Sequence, residues 1–118
     1  MGILLPQWSA QKVEQYDNGN HQLFEIKFYD SNGEEHGESK VFSQDGKLLS
    51  TESYNHGKPH GIFIKYYFSG IIRTECKFID NLIVGEYKGY FKNGNIKYLL
   101  FYEKGNQIWG KFYNEDGS

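Results

Sequence analysis

Hydrophobic and polar positions along this chain recur with a period of 24 residues. Three glycine series keep this step, and the first has Asn81 at one position: Gly33, Gly57, Asn81 and Gly105; Gly37, Gly61 and Gly85; Gly46, Gly70 and Gly94. Two aromatic columns and one aliphatic column keep the same step: Phe42, Tyr66 and Tyr90; Tyr54, Phe78 and Tyr102; Leu48, Ile72 and Ile96. A fixed period in this range indicates a repeat protein built from one supersecondary unit.

The turn residues within each repeat predict a β-hairpin. The segments 44–46, 68–70 and 92–94 end in glycine and are short turn signals, and each marks a hairpin tip. Runs rich in β-branched and aromatic residues flank them, for example 62–67 and 96–102, and no helical periodicity competes. Because side chains alternate along a strand, the even spacing predicts that Ile72 and Phe78 share the core side of the sheet, as do Ile96 and Tyr102.

We therefore expect an all-β fold, an elongated antiparallel meander of hairpin repeats with about nine strands. The whole chain, 1–118, forms a single repeat domain. Its predicted divisions are a non-repeat lead-in at 1–15, a degenerate repeat at 16–32, full repeats at 33–56, 57–80 and 81–104, and a partial repeat at 105–118.

The repeat resembles the MORN-type repeat, specifically the shorter variant found in many bacterial proteins. The resemblance rests on 57–61 (GKPHG) followed by 65–70 (KYYFSG), and on 84–97 (VGEYKGYFKNGNIK). It extends over about residues 16–118, with departures at Asn81 and at the pair Glu34 and Glu35. It implies a non-catalytic scaffolding or binding module, and many bacterial members are described as antitoxin or immunity proteins.

Composition and charge narrow the class of partner. The net charge is −2, with 13 basic and 15 acidic residues, so the chain lacks the basic surface of a nucleic-acid binder and we expect no nucleic-acid partner. The absence of a Lys/Arg cluster also makes membrane binding an unfavoured reading. Cys76 is the single cysteine, which excludes an internal disulfide and favours a cytoplasmic location. The opening segment 1–8 has neither the basic start of a signal peptide nor the length of a membrane span.

Candidate catalytic and metal-binding groups do not form a convincing site in the sequence. His36 and His60 occupy one column of successive repeats, about 9 to 10 Å apart, which is too far to share a zinc ion, so we expect them to satisfy turn backbone instead. Cys76 falls in an inward-facing strand column, where a packed thiol is expected. The paired carboxylates 34–35 and 115–116 lie in loops or near the terminus. We therefore predict no enzyme activity, no cofactor and no metal.

Aromatic residues outside the repeat columns are the candidate binding surface. They concentrate toward the C-terminal half, where the outward face changes from 73, 75 and 77 (Arg, Glu, Lys) to 97, 99 and 101 (Lys, Leu, Phe). An exposed aromatic patch marks a protein interface. The predicted protein-binding residues are Tyr67, Phe91, Leu99, Phe101, Trp109 and Phe112. The last strand, 107–113, has no following hairpin partner and offers a second route to binding by strand pairing.

Three functions stay open at this point. The leading hypothesis is a protein-binding module of the antitoxin or immunity type, which occludes a partner protein such as a cognate toxin. The alternatives are a structural scaffold that forms homo-oligomers through its end strands, and a module that binds a membrane surface or a carbohydrate.

Overall fold

The computed structural model describes residues 10–18 and 21–118, with side chains from Phe24 onward. The opening segment 1–8 and residues 19–20 of the predicted degenerate repeat lie outside the described residues. The strands are β1 (Ala10–Asn18), β2 (His21–Tyr29), β3 (Gly37–Ser43), β4 (Leu48–Asn55), β5 (Lys58–Pro59), β6 (Gly61–Tyr66), β7 (Ile72–Ile79), β8 (Leu82–Tyr90), β9 (Ile96–Glu103) and β10 (Asn106–Phe112).

The described strands form one antiparallel sheet in which nine of them follow chain order, and the two-residue β5 pairs only with β4. The prediction of an all-β meander of hairpins is confirmed. β1 begins at Ala10, inside the segment 1–15 that the sequence sets apart as a lead-in. The molecule is elongated, since its radius of gyration is 16.7 Å where a compact domain of this length has roughly 13 to 14 Å.

Three hairpin tips share one backbone geometry. In the first tip the N–H of Ser43 donates to the carbonyl of Lys47, and the N–H of Gly46 donates to the carbonyl of Ser43. The same two bonds recur at the tips around Gly70 and Gly94 and at the C-terminal turn around Gly117, whose φ angles are 96°, 91° and 92°. The turn around Gly33, between β2 and β3, has them as well. The left-handed backbone explains why glycine recurs at these positions. The predicted tips at 44–46, 68–70 and 92–94 are confirmed.

A β-bulge follows each of the three inner tips and changes which face the next residue occupies. Lys65 pairs with Thr74 whereas Tyr66 pairs with Ile72, so Arg73 is an extra residue in β7. Tyr66 comes one position after Lys65, so it lies on the other face of the sheet, and Ile72 lies there with it. Equivalent register shifts occur between β3 and β4 and between β8 and β9.

The prediction that Ile72 and Phe78 share a face is therefore wrong, and so is the corresponding prediction for Ile96 and Tyr102. Counting an even number of residues assumes an unbroken alternation, and the bulge interrupts it.

The register defines two faces of the sheet. The aromatic face carries two groups of rings, and neighbouring ring centroids within each group lie 4.7 to 6.3 Å apart. The first group is Tyr54, Phe63 and Phe78, and the second is Tyr87, Tyr98, Tyr102 and Phe112. The mixed face carries both charged and apolar residues: Ile62, Glu75, Lys77, Glu86, Lys88, Leu99, Phe101 and Trp109.

The sheet has no second layer among the described residues. None of their hydrophobic side chains is buried, and the buried polar residues are Asp30, Ser39 and Ser43. A sheet buries a face only by packing it against another element, so the inner rings of the aromatic face stay half-buried and Phe112 stays exposed. Nothing within the described residues covers either face.

Candidate protein-binding surface

Three of the predicted binding residues come together on the mixed face at the β9–β10 pair. Phe101 lies opposite Trp109, and their rings stack with centroids 5.8 Å apart and an interplanar angle of 5°. Leu99 lies on the same face, opposite Lys111. Trp109 is 46% exposed on the edge strand of the sheet. Large rings with one apolar surface in solvent are typical of the residues that dominate protein interfaces.

Phe112 lies on the other face and does not join this cluster. It pairs with Tyr98, and the two ring centroids are 6.3 Å apart on the aromatic face. Trp109 and Phe112 are separated by three positions in one strand, so alternation puts them on opposite faces. Phe112 is 72% exposed, which leaves it accessible to a partner from that side.

Tyr67 and Phe91 lie at hairpin tips, along one side edge of the sheet. The hydroxyl of Tyr67 donates a 2.6 Å hydrogen bond to the carbonyl of Tyr90, which ties the second tip to the third. The ammonium group of Lys97 lies 5.5 Å from the ring centroid of Phe91. The six predicted residues therefore fall into three places, because proximity in sequence ignores the alternation of strands and the direction of the tips.

Two histidines hold the connections between repeats. The Nδ1 atom of His36 accepts the backbone N–H of His56 at 3.0 Å, and Nδ1 of His60 accepts the N–H of Asp80 at 3.1 Å. His56 and Asp80 both have a φ of 46°, which few residues other than glycine adopt. The prediction that these histidines satisfy turn backbone is confirmed.

A buried carboxylate extends the first of these connections. Asp30 is 4% exposed, and its Oδ1 accepts the N–H groups of Asn32 and Glu34 at 2.9 Å. Its Oδ2 lies 2.6 Å from Nδ1 of His56, and this bond is the main reason that the pKa of Asp30 falls below its usual range. The rings of His36 and His56 are 4.2 Å apart between centroids. Sequence reasoning compared His36 with its repeat equivalent and missed this neighbour, which is 20 residues away.

The potential ligand atoms of Asp30, His36 and His56 lie within 4.8 Å of one another. Such a donor set suits zinc. However, a metal bound at Nδ1 of His36 would displace the hydrogen bond that this atom accepts from the N–H of His56. A metal bound between Asp30 and His56 would displace the hydrogen bond between their side chains. His60 makes the same backbone contact, and the carboxylate beside it, that of Asp80, is exposed and lies 3.5 Å from Nδ1. The present arrangement is accounted for by turn stabilisation, and the chemistry of the cluster supplies no nucleophile.

The thiol of Cys76 is not activated as a nucleophile, because its pKa is raised and not lowered. It lies on the aromatic face opposite Phe63, and burial raises its pKa above the ordinary range, so the thiol stays protonated at neutral pH. On the mixed face, the hydroxyl of Tyr90 donates to Glu75 at 2.6 Å, and its pKa rises to about 12 because of burial and this hydrogen bond. Both groups have structural explanations.

The geometry defines a class before it defines a family: an open, single-layer array of β-hairpins in which each unit repeats the contacts of its neighbour. The MORN repeat variant matches three consecutive stretches, residues 35–56, 59–80 and 83–104, which together cover more than half of the chain. The protein belongs to the MORN repeat variant family. Its members are commonly binding modules that contact proteins or membranes.

No curated protein and no solved structure matches the chain. Within the part of the chain that the structure describes, no helix has the length and apolar character needed to cross a bilayer.

Proposed function

We propose that this protein is a non-catalytic protein-binding module of the antitoxin or immunity type, which acts in the cytoplasm and neutralises a partner protein by covering it. The single observation that carries the proposal is the stacked pair Phe101 and Trp109 on an open sheet face beside the edge strand β10. Every residue of β10 is exposed, so a partner reaches the ring pair and the strand edge together.

The geometry favours occlusion over chemistry. The partner would lie across the mixed face with the two rings at the centre of the contact, where desolvated aromatic residues contribute most of the binding free energy. Lys111 follows Trp109 by two positions in β10 and so lies on the same face as the rings, and a charge at such a rim governs the association rate and specificity.

Affinity purification from the native cell after mild crosslinking tests the proposal. We expect one partner to co-purify in a fixed ratio with the wild-type protein and to be lost with the variant F101A/W109A. The matched control is I62A/L82A, because Ile62 and Leu82 are 48% and 46% exposed on the same face, in strands that do not pair with β10. Equal capture by all three proteins would contradict the placement of the interface.

A scaffold that forms homo-oligomers is the second candidate, and the open edge of β10 supports it. The N–H of Tyr113 donates to Lys97 in β9, so by alternation the N–H of Gly110 points away from the sheet. Such a free edge pairs readily with another strand. Sedimentation that shows a dimer, and a monomer for Gly110→Pro, would favour this function over the first.

A further inference from the structure

The hairpin tips form a row along one edge of the sheet, and the row carries an unusual charge distribution. Equivalent positions of neighbouring tips are two strands apart, about 9 to 10 Å. The first three tips and their bulges carry one carboxylate, Asp45, and four cationic residues: Lys47, Arg73, Lys92 and Lys97. The C-terminal turn beside the third tip adds Glu115 and Asp116. Asp45 itself accepts a hydrogen bond from the hydroxyl of Ser43.

The connecting segments on the opposite edge have the reverse balance. They carry two lysines, Lys58 and Lys104, and five carboxylates: Asp30, Glu34, Glu35, Asp80 and Glu103. The first three tips are therefore more positive than the opposite edge although the net charge of the protein is only −2. Such separation directs an approaching charged partner to one edge.

A cleft of about 480 Å³ opens between the second and third tips. Its lining combines rings, a hydroxyl and two cations: Tyr66, Tyr67, Phe68, Ser69, Arg73 and Lys92. Pockets for small ligands or single large side chains have about this volume.

Contacts with neighbouring tips fix the aromatic rings that line the cleft. The hydroxyl bond from Tyr67 to Tyr90 fixes one ring. The ammonium group of Lys47 lies 4.2 Å from the centroid of Phe68, and Phe68 is still 56% exposed. A flat apolar group that enters the cleft would contact rings whose positions are already set, so little side-chain entropy is lost on binding.

The two cations of the cleft have no acidic partner within the described structure. Lys27, Lys40 and Lys88 each lie within 4 Å of a glutamate carboxylate, whereas Arg73 and Lys92 do not. Arg73 is the extra residue of the β7 bulge, a feature that redirects a side chain out of the regular sheet pattern. Its guanidinium can pair with a carboxylate through two parallel hydrogen bonds.

We propose that this cleft binds an acidic, aromatic-containing segment of a partner protein, with a carboxylate between Arg73 and Lys92 and a ring against Phe68 and Tyr67. This inference rests on the proposed function, because it names the chemistry of the segment that the partner supplies. Inorganic anions would use the cations alone. The aromatic wall favours a peptide that carries both a ring and a carboxylate.

The probe is a short capped peptide in which glutamate and tyrosine alternate, titrated into the full ¹⁵N-labelled protein. We expect saturable amide shifts at residues 66–73 and 91–93. The variant R73Q/K92Q should weaken binding about tenfold or more, because it removes both charge-assisted hydrogen bonds to the carboxylate. The control K58Q/K104Q removes the same charge from the opposite edge and should bind like the wild type.

Several outcomes would overturn the inference. These are an absence of shifts in the cleft, equal weakening by the control variant, equal binding of a peptide with lysine in place of glutamate, and equivalent saturable shifts with inorganic phosphate. Competition by vesicles of phosphatidylcholine and phosphatidylserine would assign the cleft to a membrane surface instead.

The cleft and the proposed function can fail separately. If the native partner is captured equally by the wild type and by R73Q/K92Q, the cleft is not part of the interface although the binding function stands. If the peptide binds in the cleft but no partner co-purifies, the proposed function fails. Unchanged urea midpoints for both double variants would show that neither result comes from unfolding.

Discussion

Gly89 offers a sharp test of how the aromatic face is packed. It is buried in β8 and lies directly opposite Tyr98 in β9. A Cβ atom at this position would lie 2.3 Å from both Cε2 and Cζ of the Tyr98 ring. The ring is braced by Tyr87 and Phe112, with centroids 6.0 and 6.3 Å away, so it cannot move without disturbing two further contacts.

We expect Gly89→Ala to destabilise the protein by about 1 to 2 kcal/mol. Overpacking of this kind costs roughly 1 to 3 kcal/mol. Removing a glycine from a strand interior offsets about 0.5 to 1 kcal/mol of that cost. With Tyr98→Ala already present, the obstructing ring is gone and the same substitution should be neutral or slightly stabilising.

Urea unfolding followed by circular dichroism gives all four free energies of this double-mutant cycle. Gly110→Ala is the control, because its Cβ would meet the flexible ends of Leu100 and Gln107, at 2.8 and 3.0 Å, and should cost less. An equal cost of Gly89→Ala with and without the Tyr98 ring would refute the reasoning.

Three further predictions concern stability and thiol reactivity rather than partner binding. Because the pKa of Asp30 is lowered, its ionised form stabilises the fold at pH values above the usual pKa of 3.8, and this contribution is lost as the pH falls through the folded-state pKa. The urea midpoint of Asp30→Asn should therefore fall less between neutral and acidic pH than that of the wild type, and an equal fall in both proteins would contradict this. Tyr67→Phe should lower the free energy of unfolding by about 0.5 to 1.5 kcal/mol, because it removes the hydrogen bond to the carbonyl of Tyr90, and Tyr66→Phe should lower it by less. Equal losses in urea unfolding would contradict a stabilising role of this hydrogen bond. The raised pKa of Cys76 predicts alkylation by iodoacetamide at neutral pH more slowly than a free cysteine peptide, and a faster rate would contradict the burial of the thiol.

Local patterns predicted the architecture because each hairpin depends on neighbouring residues. Gly46 and Gly70 mark tips whose backbone requires a positive φ, and the period places their equivalents at every later tip. Strand pairing between consecutive hairpins follows from that alone. The bulge at Arg73 was not predictable from residue spacing, and it reverses the face that Ile72 occupies.

The candidate site was predictable only in part. Residue type indicates that Phe101 and Trp109 are binding residues. Their stacking depends on the register of β9 against β10, which includes a shift between Gln107 and Trp109. The pair of Asp30 and His56 joins positions 26 residues apart that do not repeat, so the period carries no signal for it. Contacts that break a repeat have to be found in three dimensions.

Growth of cells that express the captured partner is the measurement that tests the central claim most directly. We expect the partner alone to arrest growth, the wild-type protein and I62A/L82A to restore it, and F101A/W109A to fold without restoring it. A partner that leaves growth unaffected, or full rescue by F101A/W109A, would contradict neutralisation through the stacked pair.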